Sequence, residues 1–444
     1  MKRGLLYLTL VLGLLVFSST AFAQGDILSL EDAVRIAKDN STVVGIARER
    51  LQSARQSILS NYGRFLPNAT VSTYAGRTFV GPTQSVAVDA QGRPIDQTGF
   101  DFESYSFSIN SNMNLFDWGV NVKSLSSSKR SAEAAGYDLA YQGDNVTALV
   151  IREYYNSVRT KNLTAVQEES VAAARRNLEQ VEAFFRIGSN TRADVLQAKV
   201  RLGNTQLMLI TAKNNEEIAR ATLASRLNFG LGRAFEVSDT IKIRKVTPQF
   251  ESEVEYMLVH RSDLLASRQR VRAADANAAA ARNSRWPTLA ATMSYGWNDR
   301  RYPDNSNFFK NDYSWNVGVV LNYNIFDRFA TKSTILDAQA QGRIAEYNLQ
   351  QAKLDAILET KTIFLGLREA DERMRVSGET VEQAKENLRL AEERYRVGAG
   401  TILETIEAGV SLTEAQSSLI EARIDYLISK ADLLRATGRP VTTD

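Results

Sequence analysis

The chain contains few side chains suited to catalysis. Its 444 residues include one histidine, His260, and no cysteine. A Cys–His nucleophile pair and a multi-histidine metal site are therefore excluded. His260 lies beside Arg261 and Asp263 at a predicted helix start, where capping or packing is the expected role. There is no P-loop, and the Gly-x-Gly segments at 230–232 and 398–400 lack the rest of a nucleotide-binding fingerprint. We expect no enzymatic activity, no cofactor and no bound metal.

Carboxylates at the start of the last predicted helix are the best candidates for chemistry. Glu404 and Glu407 are three residues apart, so they share one face of a helix. Asp194 lies in the same setting earlier in the chain. The helix dipole favours carboxylates in a first turn, and this structural role alone would account for them.

These carboxylates follow a segment that the chain carries twice. Arg186-Ile-Gly-Ser-Asn-Thr191 reappears 210 residues later as Arg396-Val-Gly-Ala-Gly-Thr401. Leu115-Phe-Asp117 recurs at the same offset as Ile325-Phe-Asp327. Matching landmarks in one order indicate two tandem copies of one structural unit.

Long helices account for most of the chain. Proline is absent from residues 95–247 and 304–439, as long helices require. From Leu403 to Leu434, apolar or small residues recur at alternating steps of three and four, which is the repeat of a coiled coil. The turns at 187–190 and 397–400 contain glycine, as a helical hairpin needs. We predict helices over residues 30–63, 126–186, 191–229, 251–284, 332–397 and 401–436.

Four other segments alternate with a period of two, which predicts strands with one apolar and one polar face. They span about residues 68–79, 102–116, 288–300 and 313–326. The polar face is rich in Ser, Asn, Thr and Gly, which suits the water-filled interior of a membrane barrel. A soluble antiparallel sheet with one wet face is the alternative. Since bacterial barrels start at about eight strands, a membrane sheet of four would require several copies of the chain.

The amino terminus predicts export. Lys2 and Arg3 precede an apolar run, and Ala21-Phe-Ala23 is a small-x-small cleavage site, so residues 1–23 form a predicted signal peptide. Cleavage would lower the formal net charge from +3 to +1 by removing Lys2 and Arg3. A chain so close to neutral is not expected to bind nucleic acid.

The predicted organisation is therefore a signal peptide followed by two repeats, each of the form helix–strand–strand–helix–helix. The first repeat covers residues 24–234 and the second covers residues 251–438. Residues 235–250 link them, and residues 439–444 form a short tail.

Together these landmarks resemble the outer-membrane efflux family, the TolC-like channel-tunnel proteins. The family's opening pattern is similar to Leu30-Glu-Asp-Ala33, and the start of its second repeat is similar to His260-Arg-Ser-Asp-Leu264. Its helix-to-strand switch is similar to Phe65-Leu-Pro67 and Arg285-Trp-Pro287. The duplicated Leu/Ile-Phe-Asp segments resemble its strand-to-helix switch. The resemblance covers about residues 28–438, with Ser262 where the family usually has proline.

The resemblance implies a mainly α protein with a membrane β-barrel portion. Three copies would form a 12-stranded barrel continued by a long α-helical coiled-coil tunnel in the periplasm. The implied function is the exit duct of a tripartite efflux or type I secretion system in the bacterial outer membrane. The implied partners are two further copies of the chain, a periplasmic adaptor, an inner-membrane pump and outer-membrane lipid. A soluble periplasmic coiled-coil adaptor or scaffold is the alternative.

The resemblance also implies roles for particular residues. Glu404, Glu407 and the first-repeat counterpart Asp194 match the family's acidic ring at the closed periplasmic tip. Three copies would gather these carboxylates around one axis, where they would favour cations. The hairpin tips would dock onto the adaptor through the residues Arg186, Gly188, Thr191, Arg396, Gly398 and Thr401. For the glycines, turn formation alone is a sufficient reason.

Overall fold

The computed structural model describes residues 27–441, except 89, 92–93, 98, 231–234, 239–242 and 301–310. The predicted signal peptide at residues 1–23 lies outside the described residues. The described chain is mainly helical. In each half, two helices come before the strands of the main sheet and two helices follow them. None of its helices carries an apolar stretch long enough to cross a bilayer.

The elements follow the same order in both halves of the chain. The helices are α1 Leu30–Asn40, α2 Thr42–Gly63, α3 Val120–Arg186, α4 Arg192–Arg226, α5 Phe250–His260, α6 Ser262–Asn283, α7 Ala330–Arg396 and α8 Ile402–Thr437. The strands are β1 Ile27–Leu28, β2 Asn68–Val80, β3 Thr83–Val88, β4 Pro94–Gln97, β5 Phe100–Phe116, β6 Glu236–Val237, β7 Thr288–Asp299 and β8 Tyr313–Asn322. Both α3 and α7 contain 67 residues, about 100 Å at 1.5 Å per residue.

Two predicted helices are each broken in the structure. The segment 30–63 divides at Ser41 and the segment 251–284 divides at Arg261, which lie 220 residues apart. Both residues have an extended backbone, with φ and ψ of −64° and 123° at Ser41 and −65° and 122° at Arg261. The prediction of one continuous helix in each of these segments was wrong. One extended residue interrupts the helix, and neither Ser41 nor Arg261 is a glycine or proline that would indicate a break in the sequence.

The break in the second half places charge in the protein interior. Arg261 is buried, and its guanidinium pairs with Asp263 at 2.9 Å and with Glu359 at 2.6 Å. His260 is the last residue of α5, so its predicted position at a helix start was wrong. Its ring stacks on Tyr256 with 4.0 Å between ring centroids, which is a packing role.

Four of the strands form one antiparallel sheet in the order β2-β5-β7-β8. The pairing brings Val71, Ile109, Tyr295 and Trp315 into one cross-strand row. The next row along the strands consists of Thr70, Asn110, Ser294 and Asn316 and lies on the opposite face. The period of two in the sequence is therefore kept in register across all four strands.

Two short pairs of strands in the described chain are separate from this sheet. β1 pairs in parallel with β6, and Tyr154 Oη donates to the carbonyl oxygen of Leu28 at 3.0 Å beside them. β3 and β4 pair as a hairpin in the connection between β2 and β5. Neither pair was predicted from the sequence, because strands of two to six residues carry too few positions to show a period.

The chain divides into two compact units, each with its own core. One unit contains Gly143–Phe250, Thr360–Asp444 and the described residues up to Val44. Its buried clusters include Leu367, Ala370, Tyr426 and Leu433. The other unit contains Gly45–Gln142 and Glu251–Glu359, and therefore the four-stranded sheet. Its helical core is centred on Met257, Leu264 and Ala356.

Within the first unit, α8 buries its coiled-coil row only towards the carboxyl end, at Ile424, Leu427 and Ala431, and it also buries a second row. Leu403 is exposed, whereas Ala408, Ala415 and Ala422, seven residues apart, are buried. Ala415 packs with Val381 and Ala384 of α7. Small side chains at seven-residue spacing allow two helices to approach closely along a seam.

Ion pairs at the same spacing join α3 to α8. Arg152 pairs with Asp432 at 2.8 Å, and Arg159 pairs with Asp425 at 2.6 Å. Seven residues separate the two arginines and seven separate the two aspartates, in opposite order, so the helices are antiparallel here. Asp425 also accepts from Arg373 of α7 at 3.3 Å. The Asp425 carboxylate therefore links α3, α7 and α8.

Replacing Asp425 with alanine is expected to destabilise the helical unit by about 1–3 kcal/mol, because two guanidiniums lose a charged hydrogen-bond partner. Thermal unfolding in detergent, followed by helical circular dichroism, measures the change. Arg375→Ala is the matched control, since its pairs with Glu372 and Glu379 lie on an exposed face of α7. Such exposed pairs contribute little to stability, because water and salt screen them. Equal effects of the two substitutions would contradict the linking role of Asp425.

Candidate functional site at the hairpin tips

The two hairpin turns are built in the same way. Gly188 and Gly398 have φ of +80° and +76°, a left-handed conformation that favours glycine. In the first turn, the amide of Gly188 donates to the carbonyl of Phe185 and the amide of Ser189 donates to that of Phe184. In the second turn, the amides at 398 and 399 donate to the carbonyls at 395 and 394. This pair of bonds is the Schellman motif, which ends a helix and reverses the chain.

Threonine begins the helix after each turn. Thr191 accepts a hydrogen bond from the amide of Asp194 at 3.3 Å, and Thr401 accepts one from the amide of Glu404 at 3.3 Å. A side-chain cap of this kind satisfies an amide at a helix start that has no partner within the helix. Both threonines are exposed, so the caps leave them accessible at the tips.

The three candidate gate carboxylates have different surroundings. The Asp194 carboxylate completes a capping box by accepting from the amide of Thr191 at 2.8 Å. Glu404 accepts from Thr401 Oγ1 at 3.3 Å and lies 3.7 Å from the guanidinium of Arg394. Glu407 is exposed, and its carboxylate has no ion pair or hydrogen bond in the described part of the chain. Glu407 is therefore the carboxylate whose charge is least engaged within one chain.

The tips of the two hairpins contact each other within the chain. Asn190 Nδ2 donates to Tyr395 Oη at 2.7 Å, and the rings of Phe184 and Tyr395 meet edge to face with 6.2 Å between centroids. A buried cluster of residues from α3, α4 and α8 lies behind these contacts: Val181, Val195, Ala198 and Ile402. The structure thus brings the two repeated segments together, although they are 210 residues apart in sequence.

The tip arginines are placed differently. Arg186 is exposed at the end of α3. Arg396 lines a cavity of about 590 Å³ that also touches Asn177, Arg201 and Thr405. Burial lowers the pKa of the Arg201 guanidinium, and the charge of Glu414 partly offsets this effect.

One pair of tip residues was not singled out from the sequence. Ile187 and Val397 occupy the same position in the two turns and are 73% and 68% exposed. The repeat itself carried the signal, because an apolar residue precedes the turn glycine in both copies. Asn190, Tyr395 and Arg394 were also missed, because their contacts depend on the meeting of two distant segments.

The same fold occurs in known proteins. The sequence model of the outer membrane efflux protein family matches residues 33–228 and again residues 254–439. The chain belongs to the outer membrane efflux protein family. The family model matches twice, once in each half of the chain, as expected for a tandem duplication. Because this family consists of outer-membrane proteins, the alternative of a soluble periplasmic adaptor or scaffold has no support.

Individual relatives are distant but cover nearly the whole chain. The outer membrane protein TolC of Vibrio cholerae is 23% identical over 99% of this chain and 96% of its own length. The pyoverdine export outer membrane protein OpmQ of Pseudomonas aeruginosa is 24% identical over 92% of this chain and 85% of its own length. This chain is an outer-membrane protein of the efflux class to which these relatives belong.

Solved structures share the fold. The outer membrane protein VceC of Vibrio cholerae superposes with a TM-score of 0.76 at 18% identity, over 93% of this chain and 97% of the other. The CmeC outer membrane channel of Campylobacter jejuni superposes with a TM-score of 0.78 at 18% identity, over 92% and 85%. The fold class expected from the sequence, helical with a membrane-barrel portion, is confirmed.

Proposed function

We propose that three copies of this chain form a passive duct across the outer membrane. The observation that carries the proposal is the sheet β2-β5-β7-β8, in which β2 and β8 each pair on one side only within the described residues. An unpaired strand edge in lipid costs several kcal/mol for each unsatisfied backbone group. Edge-to-edge pairing of three sheets would give twelve strands and leave no open edge.

Exposed apolar stripes on the helices support the same assembly. On α4, Leu196, Val200, Leu207 and Ile218 are exposed at steps of four, seven and eleven residues. On the tip half of α7, Leu365, Val376 and Leu390 are exposed at steps of eleven and fourteen. At 3.6 residues per turn these steps keep each set of side chains on one face of its helix, and an apolar helix face packs against another element. Neighbouring copies of the chain would cover both stripes.

The hairpin tips would form the periplasmic end of the duct. In a trimer, Glu404, Glu407 and Asp194 of each copy would surround the axis as an acidic constriction that attracts cations. The surface formed by Arg186, Gly188, Thr191, Arg396, Gly398 and Thr401 would dock onto a periplasmic adaptor. Ile187 and Val397, exposed at the same place, would add apolar area to that contact.

The duct would carry drugs, other small molecules or secreted proteins outwards. It would receive them from an adaptor and an inner-membrane pump, driven either by protons or by ATP. The chain has no P-loop, so the partner pump would supply the energy. Chemical crosslinking in cells followed by purification of this chain should recover both partners.

The trimer is tested by native mass spectrometry of the protein extracted from membranes in detergent. We expect the mass of three chains, each cleaved after Ala23. Association is expected because the strand edges of a single copy are unpaired in lipid. The number three is the one that the family resemblance implies, and it would give a barrel of twelve strands. A monomer that keeps its full strand content in detergent and in lipid would contradict the proposal.

A further inference from the structure

The connections between the main sheet and its helices all lie at one end of the sheet. At that end β2 begins, β5 ends, β7 begins and β8 ends, as the antiparallel register requires. These connections and the two adjoining turns of α2, α3, α6 and α7 are here called the collar. The collar consists of residues 57–67, 117–126, 277–287 and 323–336. Two helical turns extend about 11 Å, which covers the headgroup layer on one side of a bilayer, about 5–8 Å thick.

The collar carries an excess of positive charge. It contains six basic and two acidic residues, a net charge of +4. Since the chain without its predicted signal peptide has a net charge of +1, the remainder carries −3. All six basic side chains are exposed, and none forms an ion pair within the described residues. They are Arg64, Lys123, Arg282, Arg285, Arg328 and Lys332.

The two acidic residues of the collar bind backbone amides. The Asp117 carboxylate accepts from the amides of Gly119 and Asn121, each at 3.0 Å. The Asp327 carboxylate accepts from the amide of Thr331 at 2.8 Å. Both carboxylates therefore stabilise the starts of α3 and α7, and the basic side chains of the collar are left for another anion.

Exposed aromatic rings continue the apolar face of the sheet into the collar. A β-bulge places Phe116 opposite Leu289, in the apolar row that ends at Leu321. The ring of Phe116 contacts Trp118 with 5.1 Å between centroids, and Trp118 contacts Trp286 at 5.4 Å. All three rings are about half exposed, at 45–52%. Apolar side chains exposed on one face of a membrane sheet face lipid, and tryptophan is favoured at the level of the headgroups.

Arg285 lies on the same outward surface as these rings. Its guanidinium carbon is 5.2 Å from the centroid of the Trp286 ring. Trp118 Nε1 donates to the carbonyl of Pro287 at 2.8 Å, and Asn283 Nδ2 donates to the carbonyl of Trp118 at 2.9 Å. These bonds hold the collar segments of the two halves together. A guanidinium that stacks on a ring keeps its N–H groups available, in a geometry that fits a phosphate.

We propose that the collar binds anionic phospholipid headgroups in the periplasmic leaflet of the outer membrane. This inference rests on the proposed duct, in which the sheet is inserted and the helices extend into the periplasm. The exposed aromatic rings would enter the interface, and the basic side chains around them would contact lipid phosphates. A basic residue close to a membrane surface favours anionic over zwitterionic lipid by about fivefold. The ligand is a phosphodiester lipid with a net negative charge, such as phosphatidylglycerol.

The tryptophans of the collar allow a direct measurement. The chain contains four tryptophans, so Trp297→Phe/Trp315→Phe leaves only Trp118 and Trp286. The purified protein is reconstituted into phosphatidylcholine vesicles that contain increasing fractions of brominated phosphatidylglycerol or brominated phosphatidylcholine. Bromine quenches the fluorescence of nearby tryptophan, so the two quenching curves give the relative affinity for the two lipids. The protein with all four tryptophans is measured in parallel, which makes the result independent of the two substitutions.

We expect about a fivefold preference for phosphatidylglycerol at low salt, falling towards one at about 1 M salt, where charges are screened beyond about 3 Å. Arg285→Gln should lower the preference at least twofold, and Arg64→Gln/Arg285→Gln/Arg328→Gln should abolish it. Arg285→Lys keeps the charge and should retain most of the preference. Arg343→Gln is the matched control, since Arg343 is also exposed without an ion pair in the described chain. It lies 13 residues along α7, about 20 Å from the helix start, so the preference should not change.

Three results would overturn the inference. One is equal quenching by the two brominated lipids at low salt, and another is an equal loss of preference in Arg343→Gln and Arg285→Gln. The third is competition by glycerol phosphate in solution, which would identify a site for soluble anions. Quenching by neither lipid would show that the sheet is not inserted, which contradicts the proposed duct and this inference with it. That failure is distinguished from the others because brominated phosphatidylcholine alone reveals it.

Discussion

Glu407→Gln is expected to remove most of the cation preference of the assembled channel, whereas Glu404→Gln should remove little. The reason is the different surroundings of the two carboxylates. Glu404 already faces the guanidinium of Arg394 at 3.7 Å and accepts a hydrogen bond from Thr401. Glu407 is exposed and has no such partner among the described residues. An unpaired carboxylate contributes its full charge to a ring of three, and a paired one is partly cancelled.

Single-channel reversal potentials in a KCl gradient measure this difference. We expect a several-fold drop in the K⁺/Cl⁻ permeability ratio for Glu407→Gln, together with weaker block by divalent cations. Glutamine keeps the side-chain length and nearly the same helix propensity, so assembly should be normal. Arg394→Gln is the matched control: it releases Glu404 from its partner and should raise the cation preference. Unchanged selectivity in a correctly assembled Glu407→Gln trimer would exclude this residue from the gate.

Gly398→Pro is expected to abolish most export while the channel still assembles in the outer membrane. Proline requires φ near −65° and has no amide hydrogen, whereas Gly398 has φ of +76° and donates to the carbonyl of Tyr395 at 3.1 Å. The substitution therefore disrupts the turn between α7 and α8. In sequence, the 67 residues of α7 separate this turn from the last strand of the sheet. Gly188→Pro should have the same effect through the first turn.

Efflux of a fluorescent substrate from cells, together with the amount of outer-membrane trimer, measures both consequences. Gly398→Ala is a graded control, because it keeps the amide and its added Cβ would have no atom within 4 Å. Only the left-handed backbone then opposes alanine, at about 1–2 kcal/mol. Export by this variant should be intermediate. If trimer yield fell as far as export in the proline variants, the tips would be folding elements and not docking surfaces.

Some of the site could be predicted from local sequence. At each tip one helix ends just before a glycine and the next helix begins after a threonine. This arrangement depends only on neighbouring residues, so both tips could be predicted from two short segments. The contact between the tips was not predicted. Asn190 and Tyr395 are 205 residues apart and meet because two hairpins pack together. The pairing of Glu404 with Arg394 across the turn also depends on side-chain geometry that spacing alone does not define.

The sequence by itself determined the duplication, the fold class and the two faces of the strands, because these depend on order and period along the chain. Tertiary structure alone decided the helix breaks at Ser41 and Arg261, since Arg261 is buried against Glu359, which lies 98 residues away. It also decided where along α8 each apolar row is buried. Ala408, Ala415 and Ala422 are buried, whereas the coiled-coil row is buried only near the end of the helix, at Ile424, Leu427 and Ala431. Periodicity shows that a helix or strand has an apolar face, and packing selects its partner.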